Sequence, residues 1–298
     1  MRRILAGLIV ISLLSLNCDR NHVYSQTKAA TQEALQIVLP NKKESVHFAV
    51  FGDMGTGELP QKQLADLMWQ TRQVFPFDAV LMTGDNLYGS ESPRDYERKF
   101  SQPYQQLLAA GVKFYASLGN HDNSNQRFFK DFNMKGKEYY TFKKGNVRFF
   151  ALNSNYMDQP QLSWLEEELK KSGSEWKICF FHHPPYSSGK QHGSDKELRK
   201  VVEPLFLKYG VSVVFTGHEH FYERIKPQQG ISYFVTGAGG KLRPGDVRPS
   251  NFTEKAFDQD QHFMLIEVIE DQLHFQVIAR TGKTIDSGII TRQEIKGP

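Results

Sequence analysis

Cysteine is nearly absent: Cys18 and Cys179 are the only two in 298 residues, and the first falls within an N-terminal export signal. No intrachain disulfide is expected, so the fold must rest on its core. Also missing is any apolar run of the roughly 20 residues that a bilayer-spanning helix needs. The one long run, Ile4 to Leu16, is shorter. There is no low-complexity tract and no repeat of about 20–50 residues, which argues against a solenoid. Neither sign of charge prevails, with 37 Lys and Arg against 33 Asp and Glu and a formal charge of +4. Residues 1–25 hold Arg2, Arg3 and Arg20 but only Asp19 among the acids, so their removal halves that charge. Such a balance is no footprint for nucleic acid. What remains is an ordinary globular composition, 39% hydrophobic and 23% charged, in a chain long enough to bury a sizeable core.

At the N-terminus, Arg2 and Arg3 precede the apolar run and polar residues follow from Asn17, the pattern of a secretion signal over residues 1–25. Two exits fit. Val23-Tyr24-Ser25 suits cleavage before Gln26, and Leu16-Asn17-Cys18 loosely resembles a lipobox, which would leave a membrane tether on lipidated Cys18. Either way the protein is expected to be exported: periplasmic, secreted or a surface lipoprotein. Residues 26–44, polar with scattered alanines, read as a flexible linker, and 45–298 as the folded domain.

Within that domain, short apolar runs end in glycine and a polar residue. His47 to Phe51 leads to Gly52-Asp53, Asp78 to Thr83 to Gly84-Asp85, and Lys113 to Leu118 to Gly119-Asn120-His121. Apolar residues at helical spacing lie between them: Leu64, Leu67, Met68 and Val74, then Tyr96, Phe100, Tyr104, Leu107 and Leu108. Tyr139 to Phe142 and Val147 to Leu152 read as a hairpin. A helix follows, with Asp158 as N-cap, a stripe of Leu162, Leu165 and Leu169, and Gly173 as its end. Trp176 to Phe181 reads as a strand, Lys196 to Lys208 as a helix, and Val211 to Thr216 as a strand ending in Gly217-His218. Strands over 221–225, 231–236, 262–269 and 272–279 complete the pattern. Strand–helix units first and antiparallel strands last predict an α/β fold, a four-layer α/β/β/α sandwich of two mixed sheets packed face to face with helices outside.

The residues best able to bind metal all sit just after these strands: Asp53, Asp85, Asn120, His121, His182, His183, His218 and His220. Open α/β sheets gather the carboxyl ends of their strands along one edge, so residues far apart in sequence converge there. Oxygen and imidazole donors suit a first-row transition metal, and so many exceed the needs of one ion. Two ions are the natural count, with a carboxylate such as Asp85 able to bridge them. His47, His262 and His274 fall outside this pattern and read as structural, and Gly237-Ala238-Gly239-Gly240 reads as a tight turn near the site.

In order and spacing, Gly52-Asp53-Met54-Gly55, Gly84-Asp85-Asn86-Leu87-Tyr88, Gly119-Asn120-His121-Asp122, Cys179-Phe180-Phe181-His182 and Gly217-His218-Glu219-His220 resemble the five motifs of the calcineurin-like metallophosphoesterases. They are most similar to those of the purple acid phosphatases, of the short, single-domain tartrate-resistant type, over about residues 46–280. The resemblance implies Asp53, Tyr88 and His220 as ligands of a ferric ion, Asp85 as the bridge, and Asn120, His182 and His218 as ligands of a second, divalent ion of iron, zinc or manganese. Tyr88 discriminates, because a phenolate is a hard anionic donor suited to ferric iron and most of the wider superfamily lacks it. The resemblance further implies that residues 45–298 form a catalytic domain that hydrolyses small-molecule phosphomonoesters by in-line attack of a metal-activated hydroxide, with an acidic optimum. His121 would contact the phosphate and help to protonate the leaving group, and His192 resembles an outer histidine of the family. Cys179 departs from the usual valine, at what should be a core position, and in the His182-His183 pair the spacing favours His182 as the ligand. A monomer without nucleic-acid partners is expected. The rivals are a phosphodiesterase with the same metals and a non-catalytic phosphate-binding protein.

Overall fold

The computed structural model describes residues 35–292; the expected export signal with Cys18, and the first part of the expected linker, lie outside the described residues. In chain order the strands are β1 (Val46–Phe51), β2 (Ala79–Met82), β3 (Lys113–Ala116), β4 (Tyr140–Lys144), β5 (Val147–Ala151), β6 (Trp176–Phe180) and β7 (Val213–Thr216). They continue with β8 (Tyr222–Ile225), β9 (Ser232–Thr236), β10 (Thr253–Phe257), β11 (His262–Ile269), β12 (Gln272–Ala279) and β13 (Thr284–Thr291). The α-helices are α1 (Leu59–Val74), α2 (Pro93–Tyr96), α3 (Gln105–Ala109), α4 (Gln159–Lys171) and α5 (Lys196–Tyr209).

Two mixed sheets result. In the first, of order β13-β12-β11-β1-β2-β3, the parallel strands β1, β2 and β3 meet an antiparallel set that returns to the edge of β1. In the second, of order β10-β8-β9-β7-β6-β5-β4, the parallel centre β9-β7-β6-β5 is flanked by antiparallel β8 and β4. The period of two along each strand then separates two cores. Phe149, Ile178, Phe180, Val213 and Phe215 join the core shared with the first sheet, where the Phe48 ring lies 5.1 Å from that of Phe149. Their neighbours Phe150, Cys179, Phe181 and Val214 face the other way, onto Leu165 and Leu169 of α4 and Val202 and Phe206 of α5. Cys179 is thus an apolar filler. Helix α1 buries Leu64, Leu67 and Met68, and the result is the four-layer α/β/β/α sandwich. Each fully buried Phe contributes about 1.5–3 kcal/mol relative to exposure.

Local signals act as their chemistry dictates. Asp158 accepts the Gln161 N–H at 3.0 Å to cap α4, and Gly173 follows its end with φ +57°. The stripe from Tyr96 to Leu108 does bury Phe100, Tyr104 and Leu107, but not on one continuous helix. Pro103 lacks an N–H and its ring excludes a helical bond to the Lys99 carbonyl. That carbonyl instead accepts from Gln61 Nε2 at 2.6 Å, and the segment divides into α2, a π-type turn over Glu97–Ser101 and α3. Residues 35–44, the described part of the stretch read as a linker, are bonded to the domain. Asn41 and Lys42 donate their N–H groups to the Glu267 carboxylate at 2.7 and 2.6 Å, and Val38 donates to Gln276. No helix among the described residues is long and apolar enough to cross a membrane.

Candidate metal centre

Five strand ends deliver the polar residues to one place. Asp53 follows β1, Asp85 and Tyr88 follow β2, Asn120 and His121 follow β3, His182 follows β6, and His218 and His220 follow β7. The centre therefore straddles the carboxyl edges of both sheets. Turning off the sheet so sharply strains the chain. Asp53, Asp85 and His218 have φ of 55°, 50° and 68°, the left-handed region, at a cost of about 1–3 kcal/mol each. Two glycines make the close approach possible: a Cβ on Gly119 would lie 2.2 Å from Asp85 Oδ1, and one on Gly217 2.5 Å from Asp53 Oδ2.

The side chains form two sets joined by Asp85. In the first, the Tyr88 hydroxyl is 3.0 Å from Asp53 Oδ1 and 3.2 Å from His220 Nε2, and His220 Nε2 is 3.4 Å from Asp53 Oδ1. In the second, Asn120 Oδ1 lies 2.9 Å from His182 Nε2 and 3.1 Å from His218 Nδ1, and these two nitrogens are 3.1 Å apart. Asp85 has a carboxylate oxygen within 4.8 Å of donor atoms of Asp53 and His220, and its Oδ1 is 3.5 Å from His182 Nε2. His182 Nδ1 is 3.0 Å from the Thr83 carbonyl. Donation of that N–H leaves the Nε2 lone pair facing Asn120, the arrangement a metal-ligating imidazole needs. His183 also brings a ring nitrogen within 4.8 Å of His182 and His218, while its Nδ1 is 2.9 Å from Ser154 Oγ.

The electrostatics call for a cation. Burial, then repulsion from Asp85, holds the Asp53 carboxyl well above the usual carboxylate range, and burial raises Asp85 too. Burial and the two carboxylates push the Tyr88 phenol far up. Burial and neighbouring imidazoles push His182 and His218 down, and burial with Arg243 takes His220 down to about 4. Acids that resist ionisation beside imidazoles that resist protonation form a cage of lone pairs, and positive charge at its centre reverses both penalties. The residues present therefore fit metal ions.

Around the cage stand groups suited to an anionic substrate. The His121 backbone N–H donates to Asp85 Oδ1 at 3.0 Å and its ring lies 5.1 Å from that of Tyr88, with the residue exposed. The His192 ring lies 4.1 Å from that of His218, on a loop tied down where the Gly193 N–H donates to Glu219 Oε1 at 2.5 Å. Lys241 Nζ stands 4.9 Å above the Tyr88 ring. The turn at Gly237–Gly240 runs beside the site, since a Cβ on Gly240 would meet the Met54 carbonyl at 2.2 Å. By contrast, His47 bonds the Pro76 carbonyl, His262 the Thr236 hydroxyl and His274 the Gln272 amide, away from the cage.

Sequence reasoning missed two supports. Asp122 is half-buried and accepts from the N–H groups of Gly119, Asn86 and Leu87 at 2.8–3.1 Å and from the side chains of Asn86 and Gln126 at 3.0 and 2.7 Å. It thereby clamps the loops after β2 and β3 that carry Asp85, Tyr88 and Asn120. Its place beside His121 is legible in the sequence, but its partners Asn86 and Leu87 belong to another loop. Glu219, between two candidate ligands, is fully buried and holds the His192 loop.

Known proteins resemble this chain in sequence and in fold. The family model for calcineurin-like phosphoesterases matches residues 46–222. The chain is 28% identical over 262 residues to purple acid phosphatase 17 of Arabidopsis thaliana, covering 75% of this chain and 77% of that one. It is 30% identical over 317 residues to acid phosphatase type 7 of Mus musculus, covering 84% and 69%. Among solved structures, a purple acid phosphatase from yellow lupin (Lupinus luteus) seeds superposes with a TM-score of 0.69 at 20% identity, over 85% of this chain and 55% of that one. The chain thus spans little more than half of the lupin structure, whose likeness is one of fold.

Proposed function

This chain belongs to the calcineurin-like phosphoesterase family, and from that premise we propose that it hydrolyses phosphomonoesters of small molecules at a pair of metal ions, as an exported acid phosphatase of the purple type. One observation carries the reading. Two donor sets, Asp53, Tyr88 and His220 on one side and Asn120, His182 and His218 on the other, meet at a single shared carboxylate, Asp85. Asp53, Tyr88 and His220 would hold ferric iron, which suits the phenol, and Asn120, His182 and His218 a divalent ion of iron, zinc or manganese. Bound there, the ions supply Lewis acidity, which makes water nucleophilic below its bulk pKa and offsets charge on phosphoryl oxygens.

The chain's own residues do the rest. Lys241 and Arg243 draw the anionic ester to the mouth. His192, its ring tilted against that of His218, and His121, beside Tyr88, meet the phosphoryl oxygens and hold the ester in line. His121, exposed at the mouth, is placed to deliver a proton to the leaving-group oxygen as the ester bond breaks. These cationic and imidazole groups match the second negative charge of a monoester dianion, which a diester lacks, and they favour the monoesterase reading. Export would follow from cleavage after Ser25 or from a lipid on Cys18, with residues 45–298 as the catalytic domain. The test compares initial rates on an aryl phosphate and on its diester, with equilibrium binding of inorganic phosphate. Preference for the monoester supports the reading. Faster diester cleavage replaces it with a phosphodiesterase, and tight phosphate binding without turnover replaces it with a phosphate-binding protein.

A further inference from the structure

Beside the metal cage, on the Asn120 side, lies a cleft of about 690 Å³ lined by the loops after β3 and β5, with Glu138 from just before β4 and His183 from the loop after β6. It starts at Gly119 and Asn120, so an ester whose phosphoryl group sits at the cage reaches the cleft directly with its leaving group. The walls are polar but not cationic. Neither lysine nor arginine lines the cleft, and its carboxylates are already engaged. Glu138 accepts from Arg127 at 3.0 Å and from Asn153 Nδ2 at 2.9 Å, and Asp122 is filled by its loop donors. Some groups keep capacity to spare. Asn155 commits its Nδ2 to the Gly119 carbonyl at 3.0 Å, which leaves its Oδ1 as an acceptor, and Asn123 commits its Oδ1 to the Asn125 N–H, which leaves its Nδ2 as a donor. The Ser124 hydroxyl adds both functions. At the rim stands Tyr156, 75% exposed and thus the most exposed large hydrophobic or aromatic side chain among the described residues.

From this lining we infer that the cleft is the subsite for an uncharged, polyhydroxylated leaving group, so that the substrates are sugar phosphates. The inference rests on the phosphatase reading and deepens it. Alternating donors and acceptors on amide and hydroxyl groups match the hydroxyls of a sugar, each of which donates and accepts. The flat, rigid face of Tyr156 covers the apolar C–H face of a pyranose at little entropic cost. A leaving group with a second phosphate would find no lysine or arginine lining the cleft to pair with it, which disfavours bisphosphates and nucleoside polyphosphates.

The test measures kcat/KM of the metal-loaded protein on three esters: a hexose 6-phosphate, cyclohexylmethyl phosphate, which keeps the size without the hydroxyls, and a hexose bisphosphate. The hexose 6-phosphate is expected to exceed each of the others by at least tenfold, mostly through KM. Tyr156→Ala is expected to cut the ratio of hexose to cyclohexylmethyl ester at least fivefold, and Tyr156→Phe, which keeps the ring, to retain most of it. Because Tyr156 is exposed, both variants should fold, as unchanged thermal midpoints will verify. Equal kcat/KM on the hexose and cyclohexylmethyl esters, an unchanged ratio in Tyr156→Ala, or a bisphosphate cleaved as well as the monophosphate overturns the subsite and leaves the phosphatase reading standing. Absence of turnover on every ester overturns both.

Discussion

The hydroxyl of Tyr88 donates to Asp53 at 3.0 Å, and the same oxygen lies 3.2 Å from His220 Nε2. A phenol wedged between a carboxylate and an imidazole, and pushed up by burial, keeps its proton until a strong cation takes that proton's place. The hydrogen-bonded trio is thus what the proposed metal-binding trio would be in its protonated form.

Replacement of Tyr88 by Phe removes the oxygen and keeps the ring against His121. If the site holds ferric iron, phenolate-to-iron charge transfer should colour the purified protein, and Tyr88→Phe should abolish the visible band while keeping part of the activity. A colourless, fully active wild type containing only zinc or manganese would refute the ferric assignment.

His121 bonds the cage only through its backbone N–H, donated to Asp85, while its ring rests beside that of Tyr88. His121→Ala is therefore expected to lower kcat by roughly 10²-fold, the lower end of what a positioned proton donor supplies, with metal content unchanged. Loss of metal in step with activity would instead make the imidazole a ligand.

Asp122 should matter more to folding than its silence in sequence reading implies. Asp122→Ala strips the acceptor from the N–H groups of Gly119, Asn86 and Leu87, while Asn86 Nδ2 keeps the Ser117 carbonyl and Gln126 Nε2 keeps Glu91, and each buried group left unpaired costs about 1–3 kcal/mol. A loss of more than about 3 kcal/mol in denaturant unfolding is expected, since such penalties overlap rather than add. A loss under about 1 kcal/mol would mean that the two loops hold their shape without the clamp.

The candidate ligands were legible because each sits one to six residues beyond an apolar run, so a local pattern marked both the strand and its chemistry. Strands β11 and β12 were equally clear, being buried along most of their length. Edge strands β10 and β13 were not. Their half-exposed faces carry mixed residues such as Glu254, Lys255, Asp286 and Ser287, and pairing with β8 and β12 rather than burial defines them. The break near Pro103 was hidden by an apolar stripe that kept its helical spacing through it. Asp122 and Glu219 escaped because their roles depend on which loops meet in space. The cleft beside Asn120 likewise joins loops separated by some thirty positions of chain.

Burial also predicts how the metal-free protein responds to pH. Asp53, Asp85 and Asp122 are held above the usual carboxylate range, Asp122 up at about 8, whereas unfolded carboxyls ionise near 4. Between those values the folded state binds more protons than the unfolded, so stability falls as pH rises. His182, His218 and His220, pushed down, act in the opposite sense, but only below about pH 6.5, where unfolded imidazole titrates. From about pH 6.5 to about pH 8.5 the chelated protein should lose up to about 2 kcal/mol through Asp122, and the metal-loaded protein should lose less. Parallel calorimetric profiles for the two forms would contradict the strained-carboxylate account.

The central claim is that two ions share Asp85, and metal titration of the chelated protein tests it most directly. Activity on an aryl phosphate should return only as two equivalents of metal are bound per chain, and Asp85→Asn should lower metal content and activity together, with kcat/KM falling by roughly 10²–10³-fold. Full activity at a single equivalent, or an Asp85→Asn protein that keeps both metals and its wild-type rate, would contradict it.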